Sequence, residues 1–228
     1  MVLLHFKTII YSNRDIAKQC ASHLLEIKAV KLSPSKPFTW ASGLKSPIYC
    51  DNRKTLSYPE IRTFIKESLV QTIQTKFSEV EVIAGVATGA IAQGALVAEA
   101  MGLPFVYVRS EEKKHGMGNI VEGEIHPEQK VVVVEDLVST GQSSLKAVET
   151  LRNMGCTVLG MTAIFTYNLP ISQQRFEEAK CALYTLTDYH CMIEQAVRGK
   201  YIQEDEQKTL IDWRKDPNAW AAKFTQTV

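Results

Sequence analysis

A run of four valines, Val131–Val134, is followed by two adjacent carboxylates, Glu135 and Asp136, and then by a turn rich in hydroxyl groups. Consecutive β-branched apolar residues are typical of a short strand that is buried on both faces of a parallel sheet. A helical pattern begins after the turn, with apolar residues spaced for one face: Leu145, Val148, Leu151 and Met154. The segment therefore predicts a buried strand, a polar turn and the N-terminus of a helix.

This arrangement suits a sugar phosphate. The backbone N–H groups of the turn and the positive end of the helix dipole favour a phosphate group. The two carboxylates at the end of the strand can accept hydrogen bonds from ribose hydroxyls. The plainer alternative is a buried strand and a capped helix, in which Ser and Thr serve only as caps. The acidic pair and the polar turn together favour a sugar-phosphate cradle formed by residues 135–143.

Predicted strands and helices alternate along most of the chain. Helical patterns cover residues 13–28, with Ser12 or Asn13 as the N-cap, and 58–76. Besides the valine strand, the pattern predicts strands over Val80–Gly85, Phe105–Arg109, Thr157–Phe165 and Ala182–Leu186, and helices over 91–101, 142–154 and 171–180. This order indicates βαβ units and therefore an α/β fold with a doubly wound, mainly parallel sheet.

The length of 228 residues predicts one domain with a small appended lobe. Residues 35–56 are rich in Pro, Gly, Ser and Lys around short β-like pieces, which indicates a small N-terminal hood over roughly residues 1–57. The core is expected over roughly 58–190, and a helical C-terminal segment over 191–228. In that segment we expect Trp213 and Trp220 to be packing anchors.

The composition excludes several classes of protein. A net charge of +1 gives no broad electrostatic footprint for nucleic acid or for an acidic membrane. The five cysteines show no C-x-x-C pair, which is typical of reduced, mostly packed thiols in a cytosolic protein. His5 and Lys7 interrupt the apolar N-terminus, so no signal peptide is expected, and no apolar run is long enough to span a bilayer. A cytoplasmic location is therefore expected.

Residues 131–144 resemble the phosphoribosyl pyrophosphate (PRPP) signature of the type I phosphoribosyltransferases. Two further segments, Pro37–Arg53 and Tyr107–Asn119, are similar to the orotate phosphoribosyltransferases, and the resemblance runs from about residue 13 to about residue 190. It implies a type I phosphoribosyltransferase fold and a glycosyltransferase that moves the 5-phosphoribosyl group from PRPP to orotate. The products would be orotidine 5′-monophosphate and pyrophosphate, in pyrimidine (UMP) biosynthesis.

The resemblance also implies roles for the cradle. Glu135 and Asp136, both ionised, would hold the ribose hydroxyls, and the turn would wrap the 5′-phosphate. The implied PRPP-binding residues of this segment are Glu135, Asp136, Leu137, Val138, Ser139, Thr140, Gly141, Gln142 and Ser143. Ser139 would also lie against orotate, and Lys45 of the hood would meet the orotate carboxylate, although an exposed position is the commoner one for a lysine.

A second set of candidates lies between Arg109 and Gly118. Two glycines in this charged stretch indicate a loop that opens and closes, although a solvated charge run is the plainer alternative. The family pattern makes three residues candidate pyrophosphate ligands: Arg109, Lys113 and His115. Lys114, between the last two, is a further candidate PRPP-binding residue. Lys113 and His115 are, with Asp136, the candidate catalytic residues. In the family this loop closes over the neighbouring subunit's site, which implies a homodimer. Mg²⁺ is expected on the pyrophosphate group, without direct protein ligands.

The chain also departs from the family pattern. Ala41, Gly89 and Ser110 stand where positively charged residues are frequent, and Tyr167 stands where an arginine facing orotate can occur. We expect Lys114 and Mg²⁺ to compensate in part. Gly89 belongs to the segment Gly85–Ala90, which resembles the family's pyrophosphate loop but also suits a tight turn into a packed helix.

Two other functions fit the PRPP signature. A purine or other base phosphoribosyltransferase would share the cradle but favour hypoxanthine or adenine. A PRPP-sensing regulator would keep the cradle without catalysis, and it would carry a DNA-binding module, of which the sequence shows no sign. A P-loop nucleotide hydrolase is disfavoured because the chain has no G-x-x-x-x-G-K-[ST] motif.

Overall fold

The structure is a computed structural model, and it describes residues 9–11, 13–40, 42–109 and 120–224. The described helices are α1 Arg14–Glu26, α2 Pro59–Lys76, α3 Ile91–Met101, α4 Gln142–Asn153, α5 Pro170–Glu178, α6 Tyr189–Arg198, α7 Glu204–Lys215 and α8 Pro217–Ala222. The strands are β1 Ile9–Tyr11, β2 Val30–Leu32, β3 Phe38–Thr39, β4 Lys45–Ser46, β5 Ile48–Cys50, β6 Val82–Val86, β7 Phe105–Val108, β8 Val121–Glu122, β9 Lys130–Val138, β10 Thr157–Thr166 and β11 Leu183–Asp188.

Seven of these strands form the central sheet, in the order β1-β11-β10-β9-β6-β7-β8. The neighbours pair in parallel except β7 and β8, which pair antiparallel. The predicted, mainly parallel sheet is therefore confirmed. The short edge strands β1 and β8 had not been predicted, because two or three residues are too few to show a periodic pattern.

The valine run is buried on both sides, as predicted. Val132 and Val134 belong to the apolar cluster that includes α1, α2 and α6, whereas Val131 and Val133 belong to the cluster that includes α4 and Phe176 of α5. All four valines are fully buried. Since successive side chains of a strand point to opposite faces, helices cover both faces of the sheet, which is the doubly wound arrangement.

The valine strand is longer than the valine run. It begins at Lys130 and continues through the two carboxylates to Val138, because β10 keeps pairing with it as far as Thr166 opposite Val138. On the other side, the described pairing with β6 reaches only Val134, which lies opposite Gly85. Glu135 and Asp136 are thus strand residues beside a free edge, whereas the sequence had placed them just after the strand.

The helix after the turn ends earlier than predicted. Val148 and Leu151 are buried as expected, but α4 stops at Asn153 and Met154 lies 40% exposed at its C-terminal cap. Met154 fits the predicted spacing, but it lies just beyond the last residue of the helix and is not part of its buried face.

Two small antiparallel pairs lie outside the central sheet, β2 with β5 and β3 with β4. A 3₁₀ helix, Asn52–Ser57, follows β5. Trp40, just after β3, packs against Tyr167 beyond β10 and Trp213 of α7, with ring centroids 5.2 and 5.8 Å apart. This aromatic contact fixes the N-terminal pieces to the sheet and to the C-terminal helices.

The tryptophans and the cysteines were the subject of two further expectations from the sequence. Trp213 and Trp220 are both buried, as packing anchors should be. The five cysteines are free thiols, and four of them are buried. Within the described ranges, no helix combines the length and the apolar character needed to span a membrane.

Trp213 gives a direct test of the aromatic contact. Replacement of this fully buried side chain by alanine (Trp213→Ala) should lower the free energy of unfolding by about 3–5 kcal/mol, because it leaves a large cavity beside Trp40, Tyr167 and Tyr189. Ile211→Ala on the same helix, at a side chain that is 41% exposed, should cost about 1 kcal/mol or less. Denaturant unfolding measures both, and equal losses would contradict this packing.

Candidate active site

A cavity of about 420 Å³ opens beside the free edge of β9. The chain leaves β6 through α3 towards β7 on one side, and leaves β9 through α4 towards β10 on the other. Neighbouring strands whose connections diverge in this way form the topological switch point at which α/β proteins bind ligands. Three segments line the cavity: Val86–Gly89 after β6; Cys50, Asp51 and Arg53 after β5; and Glu135, Asp136, Leu137, Ser139, Thr140, Gly141 and Ser143.

Most of the predicted cradle therefore meets in one place. Val138 is an exception, since it is a fully buried strand residue packed in the core. Gln142 is exposed as the first residue of α4 and also lies outside the cavity lining. Seven of the nine predicted residues of the segment 135–143 line the cavity.

Glu135 is 4% exposed and makes two hydrogen bonds within its own segment. Its Oε2 accepts a hydrogen bond from Ser144 Oγ at 2.7 Å, and its Oε1 accepts one from the backbone N–H of Asp136 at 3.0 Å. Burial raises the pKa of Glu135 well above its ordinary value, and the neighbouring charge of Asp136 raises it further. Ser144 was missed as a site residue because its hydroxyl reaches Glu135 only after the chain has turned into α4.

Asp136 is the more accessible carboxyl group of the pair. Burial raises its pKa, but a hydrogen bond with Glu135, the backbone N–H of Leu137 and the charge of Arg53 all favour the ionised form. The hydrogen bond between the two carboxyl groups raises the pKa of Glu135 and lowers that of Asp136. The surroundings therefore favour the protonated form of Glu135 more strongly than that of Asp136, whereas the sequence had suggested two ionised carboxylates.

The turn after β9 requires a glycine. Gly141 has a φ of +78°, and a Cβ at this position would lie 2.9 Å from the Phe176 ring. The guanidinium of Arg175 donates a hydrogen bond of 3.1 Å to the carbonyl of Thr140 and so holds the turn. Gly141 is also the N-cap of α4 and offers no side chain to the first helical N–H groups. Because Gly141 and Ser143 line the cavity, these uncapped groups are suited to bind an anion there.

The turn after β6 approaches the cradle closely. A Cβ built on Gly89 would overlap the carboxylate of Asp136, so any side chain at this position would displace that carboxylate. Gly94, one turn into α3, packs its backbone against the Phe105 ring. Both interpretations of the segment Gly85–Ala90 thus have support. It forms a tight turn into a packed helix, and it also forms one wall of the cavity.

Several predicted residues lie elsewhere. Lys45 donates a hydrogen bond of 2.8 Å to Thr39 Oγ1 and is not part of the cavity lining. Arg109 contacts Glu122 at 3.4 Å, also outside the lining. Tyr167 is a core residue whose pKa is raised by burial. Lys113, Lys114 and His115, together with Ala41 and Ser110, fall outside the described residues.

Three lining residues were not predicted: Cys50, Asp51 and Arg53. They stand at the end of the segment Pro37–Arg53, which is similar to the orotate phosphoribosyltransferases. Their position in this segment could have indicated that they belong to the site. The side chains of His, Cys, Asp and Glu in the described part of the chain form no group of three or more that could hold a metal ion.

Comparison with known proteins agrees with this geometry. Residues 55–183 match the family model of the phosphoribosyl transferase domain. Fold and site together define a type I phosphoribosyltransferase.

An orotate phosphoribosyltransferase from Porphyromonas gingivalis is 59% identical over 207 residues, which cover 91% of this chain and 99% of that protein. The crystal structure of orotate phosphoribosyltransferase from Aeropyrum pernix matches with a TM-score of 0.68 and 26% identity, over 80% of this chain and 99% of that one. UMP synthase from Leishmania donovani matches in fold, with a TM-score of 0.73 and 21% identity, over 87% of this chain but only 42% of that longer one. The chain belongs to the orotate phosphoribosyltransferase family.

The raised pKa of Glu135 predicts a pH dependence of stability. Because the folded-state pKa of Glu135 lies above its unfolded value, wild-type stability should fall as the pH rises from the unfolded pKa of about 4.3 towards the folded pKa. Glu135→Gln cannot ionise and should escape this loss, so the variant should gain stability relative to the wild type as the pH rises above about 4.3. Denaturant unfolding at several pH values measures the difference.

Glu149→Gln, at an exposed position of α4, provides the matched control and should show no such trend. A difference between Glu135→Gln and the wild type that stays constant with pH would contradict a raised pKa of Glu135.

Proposed function

We propose that this cavity is the active site in which the enzyme transfers the 5-phosphoribosyl group from PRPP to orotate, giving orotidine 5′-monophosphate and pyrophosphate in pyrimidine (UMP) biosynthesis. The observation that carries the proposal is the meeting of Asp136, the turn 139–143 and the N-terminus of α4 at the switch point of the sheet. The 59% identity to an orotate phosphoribosyltransferase supports orotate as the acceptor.

The donor would bind through its sugar phosphate. Backbone N–H groups of the turn 139–143 and the uncapped first turn of α4 hold the 5′-phosphate, supported by the hydroxyls of Ser139, Thr140 and Ser143. The ionised carboxylate of Asp136 accepts hydrogen bonds from the ribose hydroxyls. Glu135 is too enclosed to meet the ribose with both oxygens, and its main contribution is to orient Asp136 by accepting a hydrogen bond from the backbone N–H of Asp136.

In the reaction, orotate N1 gives up its proton and forms a bond to C1 of the ribose, while the bond from C1 to the pyrophosphate oxygen breaks and the departing pyrophosphate can take up a proton. C1 gains positive character, and the negative charge of Asp136 beside the ribose stabilises it electrostatically. The leaving group gains negative charge, which Arg109, Lys113, Lys114 and His115 of the predicted loop would neutralise. Closure of that loop would also exclude the water that could otherwise attack C1. Lys45 and Ser139 remain the proposed orotate contacts.

Mg²⁺ is the proposed metal ion, and the residues present are compatible with it. The cavity lining carries the carboxylates of Asp51 and Asp136, but no dedicated group of metal ligands exists among the described residues. Such a lining suits Mg²⁺ that is bound mainly by the diphosphate of PRPP and by water, with at most one or two carboxylates. The ion would supply positive charge to the leaving group.

We further propose that the protein is a cytoplasmic homodimer and that residues 1–228 form one phosphoribosyltransferase domain. The free thiols suit a reducing compartment.

The resemblance supports a loop that acts across the dimer interface. In the described residues, Arg109 N donates a hydrogen bond of 2.8 Å to Ile120 O, so both ends of the predicted loop meet outside the cavity lining. We therefore propose that the loop reaches the cavity of the neighbouring subunit.

The first test is turnover. The wild type with PRPP, orotate and Mg²⁺ should consume orotate, followed by its absorbance, whereas Asp136→Asn should lower kcat/KM by about 100-fold to 1000-fold because it removes the charge beside C1. Asp205→Asn, at an exposed position of α7, is the matched control and should behave like the wild type. Turnover of hypoxanthine or adenine in place of orotate would refute the proposed acceptor.

The second test concerns sharing of the site. The Lys113→Ala dimer and the Asp136→Asn dimer should each be nearly inactive. After subunit exchange, half of the dimers are mixed, and each mixed dimer has one site with both residues intact. The mixture should therefore regain up to about a quarter of the wild-type activity. Exchange is verified by native mass spectrometry of differently tagged subunits. If exchange is complete and activity does not return, the loop acts within its own subunit.

A further inference from the structure

The described lining of the cavity carries more acidic than basic side chains, although the proposed substrate PRPP is itself an anion. Asp51, Glu135 and Asp136 give the lining three acidic groups, whereas Arg53 is the one cationic side chain among the lining residues that the structure describes. PRPP carries a phosphate at one end and a diphosphate at the other. The backbone N–H groups of the turn after β9 suit the phosphate, which leaves the diphosphate in need of a positively charged partner.

The turn after β6 cannot supply this partner from its own side chains. Val86, Ala87, Thr88 and Gly89 carry no positive charge, and a side chain at position 89 would collide with Asp136. Besides Mg²⁺ and the loop residues proposed above, a cation for this end of the cavity must therefore come from another described segment of the lining. Arg53 stands on the lining segment that follows β5.

Buried hydrogen bonds fix the position of Arg53's segment. Asn52, which is 2% exposed, donates a hydrogen bond of 2.6 Å from Nδ2 to the carbonyl of Asp136. Thr55 Oγ1 donates to the carbonyl of Asn52 at 2.6 Å, and it accepts a hydrogen bond from Gln93 Nε2 at 3.4 Å. Because Gln93 belongs to the helix that follows Val86–Gly89, the network ties the 3₁₀ helix to both walls of the cavity.

The guanidinium of Arg53 itself is not locked in place. Its Nε lies 2.6 Å from Asp51 Oδ1, but its side chain remains 59% exposed. An exposed ion pair of this kind has little net free energy, so the guanidinium can exchange Asp51 for a more highly charged anion without a large penalty. Arginine also matches phosphate oxygens with two parallel N–H groups, which lysine cannot do.

We propose that Arg53 is a binding residue for the diphosphate of PRPP, and that it exchanges its ion pair with Asp51 for this diphosphate when the donor enters the cavity. Asn52 is the positioning residue that holds Arg53's segment against the cradle. The inference rests on the proposed function, since it names a further contact for the same donor.

The experiment compares three anions on the wild type, Arg53→Gln and Arg53→Lys, in the presence of Mg²⁺. Arg53→Gln should raise the Kd of PRPP and of pyrophosphate by roughly tenfold to hundredfold, and it should change that of ribose 5-phosphate by less than about twofold. Arg53→Lys should raise the Kd of pyrophosphate by at least about threefold, because lysine keeps the charge but lacks the paired N–H groups. Arg198→Gln, exposed at the end of α6, makes the same change of charge outside the cavity lining and should match the wild type.

Three results would overturn the proposal. If Arg53→Gln lowers the affinity for ribose 5-phosphate as much as that for pyrophosphate, Arg53 only maintains the cradle. If the variant raises only the KM of orotate, Arg53 binds the orotate carboxylate. Unchanged pyrophosphate binding in both variants would exclude the contact altogether. If Arg53→Gln does not fold, the pyrophosphate affinity of Arg53→Lys decides alone. Failure of the wild type to consume orotate would refute the proposed function, whereas the pyrophosphate comparison would still test Arg53.

Discussion

The site depends on unequal pairing at the two edges of β9. On one side, β10 pairs with this strand as far as Val138, so the carboxylates stay in a rigid extended backbone. On the other side, pairing with β6 reaches only Val134, and the chain after β6 turns away into α3. The space between the two strands is the cavity. A strand that is held at one edge and free at the other can present Asp136 to a ligand without giving up its place in the sheet.

Burial at the free edge then determines the chemistry. Burial and the neighbouring charge of Asp136 raise the pKa of Glu135 well above its ordinary value, whereas the hydrogen bond from Ser144 opposes this shift. Burial also raises the pKa of Asp136, but this group is more accessible and lies near Arg53, whose charge favours the ionised form. Two adjacent carboxyl groups thus differ in how readily they ionise because their surroundings differ. Asn52, whose amide binds the backbone of Asp136, joins this pair to the segment that carries Arg53.

The sequence predicted the features that depend on local pattern. The valine run, the alternation of strands and helices, and the polar turn before α4 follow from periodicity and from residue type, and the structure confirms them. It could not show that β9 extends to Val138, because that extension depends on pairing with a strand about 28 residues further on. For the same reason Ser144 and Arg53 escaped notice. Met154 fits the helical spacing, but spacing alone cannot locate the end of a helix.

The central claim is that the end of β9 and the turn that follows it bind a ribose 5-phosphate. A crystal structure of the protein with orotidine 5′-monophosphate tests this claim most directly. We expect the phosphate to accept hydrogen bonds from backbone N–H groups of residues 139–143, and the Asp136 carboxylate to accept hydrogen bonds from the ribose hydroxyls. A nucleotide whose phosphate lies away from this turn, or whose ribose makes no contact with Asp136, would contradict the claim.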